Sequence, residues 1–329
     1  MSQFNILFTS AGRRVQLINH FKRTLNKLGL EGKIVTTDHK NSAPAFYISD
    51  NHVLVPNIFD PTYIETIKGI CRKFNITLII PLIDPELSLL SLHKKEFEEM
   101  GVTCLVSSNE VNEICFDKRN TYRFFKNAGI HTPEIFNVEL FIKRHIYEFP
   151  YIVKPMNGSS SVGVNKVNNI DELLFFLKFT SDPILQKYVD GDEYTIDVLV
   201  DFSGNIRSVV PRLRMETRAG EVSKGLTVKN KLLIEASKKV VESLPGAVGC
   251  ITLQCFITSD EEIVFIEINP RFGGGVPLTF EAGADFPKYI IQWMIGEETH
   301  FMIDDWLDGL AMLRYDEAIF LEKGKELWS

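Results

Sequence analysis

The sequence predicts an α/β protein in which a Rossmann-like N-terminal domain precedes a domain made of two α+β subdomains. Over the first hundred or so residues, short runs rich in Val, Ile and Leu alternate with helical patterns. Strands that are apolar on both faces and separated by helices indicate a parallel sheet covered on both sides. After residue 109 a Gly- and Ser-rich loop and several hairpin signals appear instead. The chain of 329 residues, 45% of them apolar, is long enough for two or three cores.

The N-terminal pattern predicts five strands joined by helices. The strands are expected at residues 5–10, 33–38, 52–56, 77–82 and 102–107, and the helices at 14–28, 61–74 and 85–100. The loop after the first strand, Ser10 to Arg14, contains Gly12 but lacks the other glycines of a dinucleotide-binding fingerprint. Although Asp38 ends the second strand as a ribose-binding acid would, a substrate-binding or architectural role is favoured for this domain.

The middle of the chain combines a helix with a loop of small residues. Residues 117–127 have the pattern of an amphipathic helix that stops at Gly129, and "YIVKP" at 151–155 reads as a buried strand. A Gly- and Ser-rich loop follows that strand, a helix is expected at 170–179, and turn signals lie at 190–191 and 203–204. The predicted domains are residues 1–109, 110–185 and 186–329.

Residues 251–269 read as two strands joined by a turn at Asp260 and Glu261. A turn centred there places Gln254 opposite Glu267. The polar face then holds Gln254, Glu267 and Asn269, and the apolar face holds Leu253, Cys255, Ile257, Val264, Ile266 and Ile268. Oxygen ligands of this kind suit Mg²⁺ shared with substrate phosphates, but an ordinary solvent-facing sheet surface explains the pattern about equally well.

Several cations lie near this hairpin or near the small-residue loop. Arg271 follows Asn269 on the same side and could donate two hydrogen bonds to a phosphate or carboxylate, whereas a surface ion pair is the commoner fate of arginine. Lys154 ends a buried strand beside the loop, where it could meet a polyphosphate, although an ordinary hairpin loop fits as well. Glycines 273–275 would let a substrate lie close to the backbone. The segment 209–225 holds Arg212, Arg214, Arg218 and Lys224, which suit an anionic substrate or a basic strand edge.

Composition excludes several classes of function. The net charge of −7 is spread without blocks, so neither nucleic acid nor a membrane surface is an expected partner. The five cysteines include no C-x-x-C pair, and the seven histidines form no close pair, which disfavours zinc and disulfides. Without a signal peptide or a span of about 20 apolar residues, the expected location is the cytoplasm.

Taken in order, the motifs resemble those of the ATP-grasp superfamily, in particular one half of the carbamoyl phosphate synthetase large subunit. They are a helix with Lys118, then "IVKP", "NGSSSVG", "LQKYVDGDEYTIDV", "LQCFI" and "FIEINPRFGGG". The resemblance covers nearly the whole chain, and residues 1–109 would be the pre-ATP-grasp domain. It implies ATP and Mg²⁺ as cofactors, with Mn²⁺ as an alternative metal.

The resemblance also implies a role for individual residues. Lys118 and Lys154 would contact ATP phosphates, beneath a loop that includes Gly158, Ser159, Ser160, Ser161 and Gly163. Gln186, Lys187 and Val189 would line the adenine site and Glu193 would hold the ribose. Relatives often carry Glu in place of Gln186, and many carry an acid in place of Gln254. Gln254, Glu267 and Asn269 would bind the metal. Catalysis would rest on Arg271, Lys154 and Lys224.

The predicted function is therefore an ADP-forming ligase that converts a small carboxylate, such as an amino acid, into an acyl phosphate and couples it to an amine. Its expected partners are small molecules, and a homodimer is one option for its assembly. Three alternatives stay open: a non-catalytic ATP-binding subunit, one half of a split synthetase, and a nicotinamide-dependent oxidoreductase, which the broken glycine fingerprint disfavours.

Overall fold

The computed structural model describes residues 3–143, 147–158, 162–297, 299 and 303–322. Within these residues the strands form three sheets of five, six and four strands. The same residues contain no helix with both the length and the apolar character needed to cross a membrane.

The five-stranded sheet is parallel and has the order β3-β2-β1-β4-β5. Its strands are β1 (Asn5–Thr9), β2 (Ile34–Asp38), β3 (Asn51–Leu54), β4 (Ile76–Pro81) and β5 (Thr103–Cys104). Helices α1 (Val15–Lys27), α2 (Tyr63–Phe74), α3 (Asp84–Leu92) and α4 (Lys94–Glu99) connect them. The single helix expected at 85–100 is thus two, because His93 leaves the helical conformation and caps both.

The loop after β1 is held by the aspartate that ends β2. One carboxylate oxygen of Asp38 accepts a hydrogen bond of 2.9 Å from the Gly12 amide, and the other accepts one of 3.0 Å from the Lys40 amide. Gly12 has a φ of +49°, a conformation that glycine adopts without strain. The Asp38 carboxylate therefore stabilises the loops at this end of the sheet, which agrees with the architectural interpretation.

Two helices lead into the four-stranded sheet. The sequence pattern missed α5 (Asn109–Phe116) but predicted α6 (Lys118–Asn127), which Asp117 caps. The sheet is antiparallel, with the order β6-β9-β7-β8, and consists of β6 (Ile135–Phe136), β7 (Tyr151–Pro155), β8 (Asn165–Val167) and β9 (Pro183–Lys187). Helices α7 (Val138–Lys143) and α8 (Ile170–Phe179) accompany it. The predicted domain boundary at residue 185 falls inside β9, and the division into domains stays a prediction.

The six-stranded sheet is also antiparallel and has the order β14-β13-β10-β11-β12-β15. Its strands are β10 (Asp192–Val200), β11 (Ile206–Arg218), β12 (Glu221–Thr227), β13 (Gly249–Ile257), β14 (Ile263–Asn269) and β15 (Ala311–Leu313). Helices α9 (Lys231–Glu242), α10 (Pro277–Glu281) and α11 (Phe286–Met294) complete this part. Its core is continuous with that of the N-terminal sheet, since Phe21 of α1 packs edge-on against Phe272.

A bulge in β14 changes the predicted register of the functional hairpin. Gln254 does lie opposite Glu267, but Cys255 lies opposite Phe265, so Ile266 is an extra residue on its strand. The prediction that Val264 and Ile266 share the apolar face is therefore wrong, because Val264 lies opposite Phe256, which lines the pocket. Phe265 is buried in the core, while Ile266 and Glu267 both line the pocket on the opposite side.

Candidate active site

Two pockets on the six-stranded sheet share one wall. The lysine pocket is lined by Lys118, Lys154, Gln186, Val189, Glu193, Gln254 and Glu267, among others. The arginine pocket is lined by Arg14, Arg212, Arg214, Arg271 and glycines 273–275, and again by Gln254 and Glu267. The hairpin of β13 and β14 thus presents one amide and one carboxylate to two cationic pockets at once.

Lys154 is the least compensated charge of the lysine pocket. It lies at the end of β7, is only 8% exposed, and forms no hydrogen bond or ion pair with the described part of the chain. Its pKa is lowered to about 8, chiefly by burial, while Glu267 raises it and Lys118 lowers it. A buried ammonium without a partner is costly, which indicates that an anionic ligand is meant to supply one.

Lys118 approaches the same pocket from the first turn of α6. Its ammonium donates a hydrogen bond of 2.9 Å to the carbonyl oxygen of Gly158, and burial lowers its pKa. The predicted loop is thereby anchored at Gly158, which lines the pocket. Gly163 packs next to Pro155 and does not appear among the lining residues. Ser159, Ser160 and Ser161 lie outside the described residues.

The lysine pocket also has polar and apolar lining residues besides its two lysines. The side-chain amide of Gln186 donates a hydrogen bond of 3.3 Å to the carbonyl oxygen of Pro133, which leaves its own oxygen for a ligand. Burial raises the pKa of Glu193, whose carboxylate lies 3.2 Å from the Arg214 guanidinium. Lys187 and Val189 also line this pocket. The sequence reasoning missed the apolar lining residues Pro133, Ile152, Phe256 and Ile266.

Gln254, Glu267 and Asn269 fit a metal ion only in part. Neither the Gln254 amide nor the Glu267 carboxylate is hydrogen-bonded within the described residues, so both are available. Asn269 lines only the arginine pocket, where its side-chain oxygen accepts a hydrogen bond of 3.3 Å from Arg271. Among the described residues no cluster of three or more His, Cys, Asp or Glu could hold a metal. One acid with two amides therefore suits Mg²⁺ that also takes phosphate oxygens.

The arginine pocket carries an unsatisfied donor. Arg212 is 1% exposed and donates from Nε and Nη2 to the two carboxylate oxygens of Asp197, at 2.8 and 3.0 Å. Its Nη1 is buried without a partner among the described residues. Arg271 is held by Asp84 of α3 at 2.6 Å, and Arg14 is held by Glu221 at 3.2 Å. An anion in this pocket would complete the hydrogen bonding of Arg212.

The glycine triplet makes room for these arginines. A Cβ atom on Gly274 would lie 2.5 Å from Arg14 Nη1, and one on Gly275 would lie 2.4 Å from Arg212 Nη1. Both distances are shorter than any side chain tolerates. The prediction that the glycines let a substrate approach the backbone is therefore incomplete, because arginine side chains already occupy the space that glycine leaves.

Two of the predicted cations lie away from both pockets. Lys224, predicted to be catalytic, lies on β12, pairs with Glu216 at 2.6 Å and has a half-exposed side chain. Arg218 is exposed and pairs with Asp316. Alternation along the strands directs Arg212 and Arg214 towards the site, whereas Lys224 does not line it. The prediction for Lys224 is thus corrected, and Arg14, which the sequence reasoning did not select, lines the arginine pocket instead.

Two protein-family models match the chain. The family model described as PylC-like, N-terminal domain matches residues 6–105, and the model described as ATP-grasp domain matches residues 115–275. A D-alanine--D-alanine ligase of Fusobacterium nucleatum is 25% identical over 260 residues, which is 76% of this chain and 80% of that protein.

Solved structures with low sequence identity share the fold. The biotin carboxylase domain of the 2-oxoglutarate carboxylase of Hydrogenobacter thermophilus, solved with MgADP and bicarbonate, superposes with a TM-score of 0.73 at 19% identity, over 94% of this chain and 74% of that one. An L-amino acid ligase of Bacillus licheniformis gives a TM-score of 0.68 at 18% identity, over 90% of this chain and 75% of that one.

Proposed function

Because the chain belongs to the ATP-grasp superfamily, we propose that it is an ADP-forming ligase that activates a carboxylate as an acyl phosphate and joins it to an amine. The observation that carries this proposal is the wall of Gln254 and Glu267, which separates a lysine pocket from an arginine pocket. A phosphoryl donor in the first pocket and an acid in the second would meet at that wall.

The lysine pocket suits Mg-ATP. Lys118 and Lys154 supply the charge that a triphosphate needs, and Glu193 lines the same pocket, where it would accept hydrogen bonds from a sugar. Gln254, Glu267 and Asn269 would hold the metal together with phosphate oxygens. When bound, Mg²⁺ neutralises charge on the transferred phosphoryl group.

The arginine pocket suits the acid. Arg212 Nη1 and Arg271 donate hydrogen bonds to carboxylate oxygens, orient the group towards Glu267 and stabilise negative charge during transfer. A carboxylate oxygen attacks the γ-phosphorus of ATP and ADP leaves. An amine nitrogen then attacks the acyl carbon, phosphate departs, and the amine proton passes to solvent. Two pockets of matched charge therefore provide positioning and charge neutralisation, which this chemistry chiefly requires.

The test measures ADP and phosphate release with Mg-ATP across a panel of amino acids and amines. We expect release that needs both an acid and an amine and that falls at least a hundredfold in Glu267→Ala. Glu262→Ala is the matched control, because Glu262 is an exposed acid next to the same hairpin turn. ATP binding without turnover across the panel would instead identify a non-catalytic subunit.

A further inference from the structure

A large apolar chamber adjoins the arginine pocket. It lies between α1 and the segment that contains β15, and it has a volume of about 760 Å³. Its walls combine the apolar side chains of Leu17, Tyr47, Leu278, Leu310, Met312 and Leu313 with charged side chains such as Arg13, Glu281 and Asp316. A chamber of this size and lining is typical of a site for a small molecule with an apolar body.

The chamber and the arginine pocket share part of their lining. Four residues, Arg14, Glu221, Gly273 and Gly274, line both spaces. At the junction, the Glu221 carboxylate lies within 3.4 Å of Arg13, 3.2 Å of Arg14 and 3.1 Å of Arg314. Because three guanidinium groups surround it, the Glu221 carboxylate does not repel an acid that lies across this shared boundary.

The arginine pocket is much smaller than the chamber. Its volume is about 70 Å³, against about 760 Å³ for the chamber. The chamber therefore offers far more room for the part of the acid that is attached to its carboxyl group. The lysine pocket on the other side of Gln254 and Glu267 is assigned to the nucleotide, so the apolar chamber is the space left for the rest of the acid.

We infer that the acid substrate is amphipathic, with its carboxylate in the arginine pocket and a large apolar body in the chamber. This inference rests on the proposed ligase function, and it names the class of acid. Amino acids with bulky apolar side chains belong to that class, whereas glycine and alanine leave the chamber largely unfilled. The burial of the apolar body against Leu278 and Met312 provides the selectivity.

The test uses hydroxylamine as the nucleophile, so that the acid alone decides the rate. The hydroxylamine nitrogen attacks the acyl phosphate, phosphate leaves, a proton goes to solvent and a hydroxamate forms. Leucine, methionine and phenylalanine, each in the L and D forms, are compared with glycine and alanine. We expect kcat/KM at least tenfold higher for the bulky group.

Two leucine variants test whether the preference for bulky acids arises in the chamber. Leu313 lines the chamber and is 70% exposed, and Leu232 on α9 is 71% exposed and lies elsewhere. Because both side chains are exposed, neither substitution by tryptophan disturbs a core. Leu313→Trp is expected to lower the ratio of bulky-acid to small-acid kcat/KM at least tenfold, while Leu232→Trp leaves that ratio unchanged.

The outcomes separate this inference from the proposed function. Equal rates for small and bulky acids, or a ratio that Leu313→Trp leaves unaltered, would overturn the chamber assignment while the ligase stands. Acid binding is also measured by calorimetry in the presence of Mg²⁺ and a non-hydrolysable ATP analogue. Suppose that bulky acids bind, that Leu313→Trp excludes them, and that no hydroxamate forms. This result would support the chamber assignment and contradict the proposed ligase function. Absence of both binding and hydroxamate would overturn both.

Discussion

At the scale of single residues, the candidate site combines side chains from well-patterned strands with one arginine that comes from a distant segment. Lys154 and Glu267 stand at or near the ends of strands whose apolar patterns are plain, so their side chains could be placed in advance. Arg14 reaches the arginine pocket from a loop more than 200 residues away, beside Glu221. No periodicity encodes that approach, because it depends on how two sheets pack.

Because the Lys154 ammonium has no partner among the described residues, we expect its replacement to stabilise the free protein and to weaken ATP binding. Lys154→Met removes a buried charge that lacks a partner in the free protein, so we expect a rise of about 1–3 kcal/mol in the free energy of unfolding. The pKa is lowered from 10.5 to about 8 by burial. Below pH 8 the Lys154 side chain is charged in the folded protein, and this buried charge destabilises the fold. The stability gained by Lys154→Met is therefore largest there and shrinks as the pH rises towards 10.5. ATP affinity should fall at least tenfold.

A second buried lysine provides the control. Lys68 is also nearly inaccessible but is paired with Glu65 and Glu96, and it lies on α2, whose residues line neither pocket. Lys68→Met should not raise stability and should leave ATP affinity unchanged. Denaturant titration and calorimetry of both variants check this pair of expectations. A Lys154→Met protein that is less stable than the parent would show that the lysine has a structural role.

At the scale of elements, strands and helices with strong patterns were predicted, and changes that depend on neighbouring elements were not. Helix α8 was predicted with its observed bounds, Ile170–Phe179. The bulge at Ile266 was not, because a single extra residue in β14 leaves alternation intact on either side of it. The bulge matters to the site, since it turns both Ile266 and Glu267 towards the lysine pocket.

The cap of α6 connects helix stability with ATP binding. The Asp117 carboxylate accepts a hydrogen bond of 2.8 Å from the Arg119 amide, and the next residue, Lys118, is the first of the helix. We expect Asp117→Ala to cost about 1 kcal/mol of stability. Because the first turn would fray, Lys118 would lose its position against Gly158, and ATP affinity should fall several-fold in calorimetry.

The cap of α8 offers a matched comparison. Asn169 accepts a hydrogen bond of 2.9 Å from the Glu172 amide and lines neither pocket. Asn169→Ala should cost a similar free energy of unfolding without any change in ATP affinity. Equal losses of affinity in the two variants would mean that general destabilisation, and not the placement of Lys118, governs binding.

At the scale of the whole molecule, the sequence predicted the order of the domains but not how their cores join. Phe8 and Phe21 of the N-terminal part share one apolar cluster with Phe272 and Phe280, which follow β14. The four-stranded sheet has its own cluster of six buried side chains: Phe141, Tyr151, Val153, Val167, Leu173 and Leu185. A cluster that small offers less apolar burial to oppose local opening.

This arrangement predicts two cooperative units in amide hydrogen exchange. Without ligand, β7 and β9 should exchange faster than β1, β10 and β13, because the smaller core opens with a lower free energy. If the proposed nucleotide site is right, Mg-ATP should slow exchange in β7 and β9 more than in β1, because Lys154 and Gln186 would contact the nucleotide from that sheet while Glu267 would contact it from the other. ATP with EDTA should protect them less, since Glu267 then meets the phosphates without a metal between them. Mass spectrometry of the exchanged peptides measures each strand, and protection of β1 equal to that of β7 would place the nucleotide outside the lysine pocket.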